Sequence, residues 1–245
     1  CVSFGMIAMR RLKLTVASDL RATGSFNRLM AIIPKLTHAR SQALAIKGIY
    51  LVRENLPGIK ATGETIIRSC ADALIKRIHD HTDGNWMWFE DTITYNNGIL
   101  PESLLLAGEY LNEPQYTKKG IETLRFLIGH TFKEDMYIPI GNASWSHKKG
   151  IRSQYDQQPE DPASMILALA TAYKMTRNEV YFQRASTCFS WFRGNNSAHH
   201  AVFNPQTGGC HDSLREDGVN NNQGAESLIA YLISHHTMRV FRASS

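Results

Sequence analysis

The sequence lacks several patterns that point directly to a class of protein. Its 245 residues contain no apolar run near the roughly 18 residues of a membrane helix, so we expect no membrane span. No phosphate-binding loop or dinucleotide fingerprint is present, and we expect no cofactor. The cysteines form no CxxC pair and have no metal-ligand spacing, which predicts reduced thiols and a cytoplasmic location. They are Cys1, Cys70, Cys188 and Cys210.

Dense runs of basic residues are also missing, although the charge is unevenly distributed. Residues 1–60 contain ten basic and two acidic residues, a net charge of +8, whereas the whole chain carries +5. The basic residues are spaced along predicted helices, so we expect a solvated surface or a face against a partner domain, and no nucleic-acid binding. The histidine pairs 199–200 and 235–236 are adjacent in sequence and point apart on a helix, so no metal site is predicted.

Helical periodicity dominates what the sequence does contain. Apolar residues recur at helical spacing through seven segments, and only residues 137–140 suggest a short strand. Proline and glycine signals and short polar turns separate the segments. The predicted helices span residues 36–56, 64–81, 100–111, 115–130, 159–175, 179–192 and 222–240, and a further helix is possible within residues 4–34.

The predicted helices repeat with a period of about sixty residues. Helices that follow long loops begin near residues 100, 160 and 223, and each unit is a helix, a tight turn, a second helix and a long loop. Stacked antiparallel hairpins share one core and place all their long loops at the same end. We therefore expect the loops at 83–98, 131–158 and 193–221 to converge on one face, where functional residues concentrate.

These loops are rich in carboxylates, side-chain amides and aromatic rings, a combination typical of a sugar site. Paired carboxylates can cleave a glycosidic bond as general acid and as base or nucleophile, and Asp91 and Asp156 are the predicted catalytic pair. Glu90, Glu160, Asp212 and Glu226 are alternatives for either role. The predicted substrate-binding residues are Trp86, Trp88, Glu90, Tyr95, Trp145, Gln157, Gln158, Glu160, Asp212, Asn222, Gln223 and Glu226.

Structural interpretations of the same residues stay open. Trp86, Trp88 and the adjacent Phe89 would equally close the end of a helical core, and acids at helix starts commonly cap or oppose the helix dipole. The second hypothesis is therefore a non-catalytic sugar-binding or scaffolding module. A third is an epimerase or lyase that uses Tyr95, Tyr155 or His211.

The loop segments together carry a resemblance to a known family. Residues 86–91, 95–102, 155–159, 207–212 and 222–227 resemble the helical region C-terminal to bacterial glycosyltransferase domains of the family 4 type. That region is similar to the six-hairpin glycosidase superfamily, so the resemblance implies an all-α, (α/α)6 toroid and a carbohydrate-related role. It covers about residues 37–240, departs from the pattern at Ser213, and does not include the glycosyltransferase domain itself.

The resemblance also sets expectations about organisation. Six hairpins of about sixty residues would need roughly 360 residues, so we expect a toroid incomplete at its N-terminus. Residues 25–245 are the predicted single domain, and residues 1–24 stay unassigned. The expected partners are an oligosaccharide or glycan substrate and a glycosyltransferase domain, either preceding this region in the same chain or carried by a partner protein.

Overall fold

The structure is a computed structural model that describes residues 16–54, 56 and 58–243. The seven predicted helices are confirmed, with ends shifted by a few residues, and the N-terminal region adds one more; residues 1–15, with Cys1, lie outside the described part. The eight α-helices of the described residues are α1 (Val16–Ile32), α2 (Ala39–Val52), α3 (Ile59–His81), α4 (Ile99–Leu111), α5 (Pro114–Thr131), α6 (Glu160–Thr176), α7 (Glu179–Ser190) and α8 (Ala225–Ala243).

The helices form two layers because consecutive helices pair and alternate helices also touch. The pairs α2–α3, α4–α5 and α6–α7 pack as hairpins, while α2, α4, α6 and α8 contact one another in series. Burial follows this order: α4 is buried on every side from Ile99 to Gly108, whereas α5 buries one stripe that includes Tyr116, Leu124 and Leu127. A helix that is apolar all round belongs inside, and an amphipathic helix belongs outside.

The inner helices run in the same direction. Near their C-terminal ends, Lys174 of α6 donates to Glu109 of α4 at 2.8 Å, and Tyr50 of α2 donates to the same carboxylate at 2.8 Å. At the opposite end, Gly98, which precedes α4, donates its N–H to Ser164 of α6. The all-α class and the packed hairpins are therefore confirmed, and closure into a six-hairpin toroid stays a prediction.

Short strands tie the connecting segments together. The hairpin β2–β3 (Phe132–Lys133, Met136–Tyr137) and the hairpin β5–β6 (Leu214–Arg215, Gly218–Val219) are local. The pair β1–β4 (Thr92–Ile93, Ser146–His147) joins two different loops. Strand β3 overlaps the strand predicted near residues 137–140.

The core fills the space between the two layers and extends under the loops. Trp88 and Trp191, the largest side chains with no exposed surface, lie at the loop end of the helices. Cys70, Cys188 and Cys210 are buried free thiols, as expected for reduced cysteines. Within the part of the chain that the structure describes, no helix is both long and apolar enough to cross a membrane.

Candidate functional site

The three long loops meet at the N-terminal ends of the inner helices. Strand pairing joins Thr92 of the first loop to His147 of the second, and a β-bridge joins Gln157 of the second to Leu214 of the third. Gln157 and Leu214 exchange two main-chain hydrogen bonds, of 2.9 and 2.8 Å. We call this end the mouth, and define it by Arg40, Glu90, Tyr95, Glu160 and Glu226.

Arg40, in the first turn of α2, organises one side of the mouth. Its guanidinium contacts the Glu90 carboxylate at 2.9 Å, the Thr94 hydroxyl at 2.6 Å and the Tyr95 carbonyl at 2.8 Å. It also lies 4.9 Å from the centre of the Tyr95 ring, within cation–π range. Sequence reasoning missed Arg40, because a lone arginine at the start of a helix carries no signal of its own.

Asp161 occupies the buried centre of the mouth. Its Oδ1 accepts hydrogen bonds from the N–H and the amide of Asn97, at 3.3 and 3.2 Å, while Oδ2 is buried without a partner among the described residues. Burial, and then the charge of Glu160, raise the pKa of Asp161 to about 8, against the hydrogen bonds from Asn97. The carboxyl is therefore mostly neutral at pH 7.

Glu160 precedes Asp161 and is the partly exposed acid of the pair. Burial raises the pKa of Glu160, and the nearby charges of Glu226 and Asp212 raise it further. Glu226 is exposed on the first turn of α8. The structure thus brings two predicted acids, Asp212 and Glu226, close enough to Glu160 for their charges to raise its pKa.

Asp212 caps the start of α8 with its hydrogen bonds. Its Oδ1 accepts from the Gly224 N–H at 2.7 Å and from the Ser227 hydroxyl at 2.6 Å, and Asn222 donates its amide to Oδ2. The Ser227 hydrogen bond is the largest cause that lowers the pKa of Asp212. Asp212 is therefore an ionised capping carboxylate, and Asn222 supports it.

The predicted aromatic residues divide between surface and core. Tyr95 is 47% exposed, and its ring centre lies 6.1 Å from that of the partly exposed Trp145. Trp88 has no exposed surface, and Trp86 is buried against Phe126. Tyr95 and Trp145 are thus available to a ligand at the mouth, while Trp86 and Trp88 close the end of the core.

The predicted amides divide in the same way. Gln157 is fully buried and joins Trp191 to the loops, accepting from the indole N–H at 2.8 Å. Gln223 is exposed with its amide 3.4 Å from the His211 ring, and Gln158 is partly exposed beside Glu160. Gln158 and Gln223 therefore offer donors and acceptors at the surface, whereas Gln157 is part of the buried structure beneath the loops.

Asp91 and Asp156 face different cations. Asp91 lies 3.1 Å from His81 Nδ1 and 3.5 Å from Lys148 Nζ, and the His81 hydrogen bond is the largest cause that lowers the pKa of Asp91. Asp156 is partly exposed, with its carboxylate 3.6 Å from Arg215 Nε. Their assignment as a catalytic pair stays a prediction.

A depression lies next to Lys148, between the first and second loops. Its volume is about 440 Å³, and we call it the loop cleft. It is lined by Asp83, Asn85, Trp86, His130, Ser146, His147, Lys148, Lys149, Gly150 and Arg152.

Other chemistries find little support at the mouth. Burial raises the pKa of the Cys210 thiol to about 12, which disfavours the thiolate that a nucleophile requires. Over residues 16–54, 56 and 58–243, no group of three or more histidine, cysteine or carboxylate side chains could hold a metal ion.

Comparison with known proteins adds no identification. No family model matches the sequence. No curated protein matches it either.

Proposed function

We propose that the protein is a carbohydrate-active helical domain that binds an oligosaccharide at the mouth and cleaves it with carboxyl groups. The observation that carries this proposal is the setting of Glu160, a partly exposed acid whose pKa is raised by burial and by Glu226 and Asp212. A glycosidase needs one carboxyl group that stays protonated near neutral pH and a second that is ionised.

The proposed roles follow from the environments of the acids. Glu160 is the general acid that protonates the leaving oxygen, and exposed Glu226 is the base or nucleophile. Tyr95 and Trp145 offer ring faces to the C–H faces of a pyranose, and Gln158 and Gln223 offer amides to its hydroxyls.

The second candidate is a non-catalytic sugar-binding module that serves a glycosyltransferase. It is favoured because two of the predicted acids already have partners. Asp91 pairs with His81 and Lys148, and Asp212 caps α8. The resemblance of the loop segments to the region that follows family 4-type glycosyltransferases supports this partner for both candidates. The three buried free thiols support a cytoplasmic location.

A glycan array on the isolated protein, followed by hydrolysis assays on the bound glycans, tests the proposal. We expect Glu160→Gln to lower the rate at saturating glycan by 100-fold or more, the usual contribution of a general acid, while binding persists. Asp91→Asn and Asp156→Asn are measured beside it, because either is the catalytic acid if it alone abolishes turnover.

Two results separate the candidates. Binding without hydrolysis by the wild-type protein would leave the sugar-binding module as the function. Absence of binding to every glycan, with a folded protein, would refute both. Glu122→Gln, on α5 and paired with Lys119, is the matched control and should leave turnover unchanged.

A further inference from the structure

The loop cleft contains basic side chains that the proposed sugar chemistry does not use. Lys148, Lys149 and Arg152 line it together with His130 and His147, against the single acid Asp83. Lys148 is already neutralised, since its Nζ lies 3.5 Å from Asp91 and 3.7 Å from Asp83. The remaining cations are Lys149 and Arg152.

Both of these residues keep donors without partners. Lys149 is exposed and has neither a hydrogen bond nor an ion pair in the described part of the chain. Arg152 uses one terminal nitrogen on the carbonyls of Ile138 and Pro139, and its Nε is buried with no acceptor among the described residues. The charge of Arg152 nevertheless lies at the lining of the cleft, so with Lys149 it attracts an anion.

The two histidines each present a second ring nitrogen. His130 Nδ1 lies 2.9 Å from the Phe126 carbonyl and therefore carries the hydrogen of that bond, which makes Nε2 of the neutral ring an acceptor. His147 Nδ1 lies 3.0 Å from the Thr92 hydroxyl, and Nε2 is a donor in the tautomer whose Nδ1 accepts from that hydroxyl. The cleft thus offers single donors from His147 Nε2 and Lys149 Nζ.

We propose that the loop cleft binds the phosphoryl group of a small phosphorylated molecule. A carboxylate is best held by the two-pronged fork of an arginine, but one prong of Arg152, Nη2, is engaged with main-chain carbonyls. A phosphoryl group has three terminal oxygens and suits separate donors from Lys149 and His147, beside the charge of Arg152. The volume of about 440 Å³ is within the range of ligand pockets and holds a monosaccharide phosphate.

Calorimetric titration of the whole chain with inorganic phosphate, glucose 1-phosphate and glucose tests this site. We expect saturable binding of the two phosphates and none of glucose at the cleft. Lys149→Ala should weaken phosphate binding about tenfold, the value of one charge-assisted hydrogen bond. Lys118→Ala is the matched control, because Lys118 is an exposed lysine on α5 without a partner among the described residues.

Arg152 also holds the second loop, so its variant needs a fold check. Arg152→Gln removes the charge and keeps an amide that can donate to the carbonyls of Ile138 and Pro139, and it should weaken phosphate binding with an unchanged circular dichroism spectrum. Equal losses in Lys149→Ala and Lys118→Ala, or heats that do not saturate, would overturn the proposal. Glu160→Gln should leave phosphate binding unchanged, so the cleft and the mouth succeed or fail separately.

Discussion

Asn97 and Asp161 join two inner helices at the centre of the mouth. Both donors of Asn97 point at one carboxylate oxygen of Asp161, at 3.2 and 3.3 Å, and Arg40 in turn donates to Asn97 Oδ1 at 3.3 Å. The N-terminal ends of α2, α4 and α6 are therefore connected through one buried amide.

This connection predicts a particular dependence of stability on pH. The pKa of Asp161 is raised to about 8, so the folded state holds a proton that the unfolded chain loses near its ordinary value of 3.8. The contribution of Asp161 to the free energy of unfolding is complete below pH 3.8 and declines as pH rises to about 8. Across that window we expect a loss of at least about 1 kcal/mol.

Urea unfolding of the wild type and of Asp161→Asn at pH 5, 6, 7 and 8 measures the effect. The difference in unfolding free energy between the two proteins should shift steadily in favour of Asp161→Asn as pH rises. Asp217→Asn, which alters an exposed carboxyl between β5 and β6, should show no such trend. Parallel curves for the wild type and Asp161→Asn would contradict the prediction.

A close approach of main chains at Gly98 predicts a large effect from one methyl group. A Cβ on Gly98 would lie 2.3 Å from the Ser164 carbonyl oxygen and 2.7 Å from the Met165 nitrogen. Gly98→Ala must push α4 away from α6, and we expect a loss of about 2 kcal/mol or more. Chemical denaturation gives the value directly.

The control is another helical glycine with free space. A Cβ on Gly129 of α5 meets nothing within 4 Å. Gly129→Ala should stabilise the protein by about 0.5–1 kcal/mol through the lower entropy of its unfolded chain. The test is that Gly98→Ala lowers the free energy of unfolding while Gly129→Ala raises it. No change in Gly98→Ala would mean that α4 and α6 are less tightly packed than the structure shows.

The ion pair between Lys47 of α2 and Glu102 of α4 is buried, with side-chain exposures of 14% and 5% and a separation of 2.7 Å. Lys47→Ala leaves the Glu102 carboxylate buried without its partner, which costs about 3 kcal/mol. Lys76→Ala removes an exposed ion pair with Asp80 and should cost less than about 1 kcal/mol. Comparable losses in the two variants, measured by urea unfolding, would show that Glu102 finds another partner.

The capping bonds of Asp212 predict local loosening of α8. Asp212→Ala removes the acceptor of the Gly224 N–H and the Ser227 hydroxyl, and we expect a loss of about 1–2 kcal/mol, as for other helix caps. The first turn of α8 should then exchange its amide hydrogens faster, which mass spectrometry measures.

The lowered pKa of Asp212 determines how the stability effect of Asp212→Ala changes with pH. The stabilising contribution is present above pH 3.8 and is lost as pH falls through the lower folded value. The gap in melting temperature between the wild type and Asp212→Ala should therefore narrow below pH 3.8. A gap that widens in acid would exclude capping by the ionised form.

The helices were predictable because their apolar residues keep a helical period over many turns. The start of α8 was placed three residues early, at 222 instead of Ala225, because the segment before it is held by Asp212, whose side chain reaches across ten residues of sequence. Such a contact depends on the tertiary fold and leaves no periodic signal in the chain.

The sequence predicted which loops form the site, but not the positions of several of its side chains. Asp161 stands next to a predicted residue, but an acid in the first turn of a helix is ordinary, and its burial depends on how α4 packs against α6. Arg40 lies about fifty residues before its partners Glu90 and Tyr95. Trp88 and Gln157 are of residue types common in sugar sites, yet both are buried. Residue type alone does not determine whether a side chain points to solvent or into the core.

The bridges that join the three loops are made by main-chain atoms. Thr92 pairs with His147, and Gln157 exchanges hydrogen bonds with Leu214 through groups that every residue other than proline possesses. These bridges between the loops therefore do not depend on which side chains are exposed at the rim of the mouth. Exposed positions such as Tyr95 and Gln223 can be exchanged during evolution at little cost in folding, so one framework can acquire new ligand preferences by substitution at its rim.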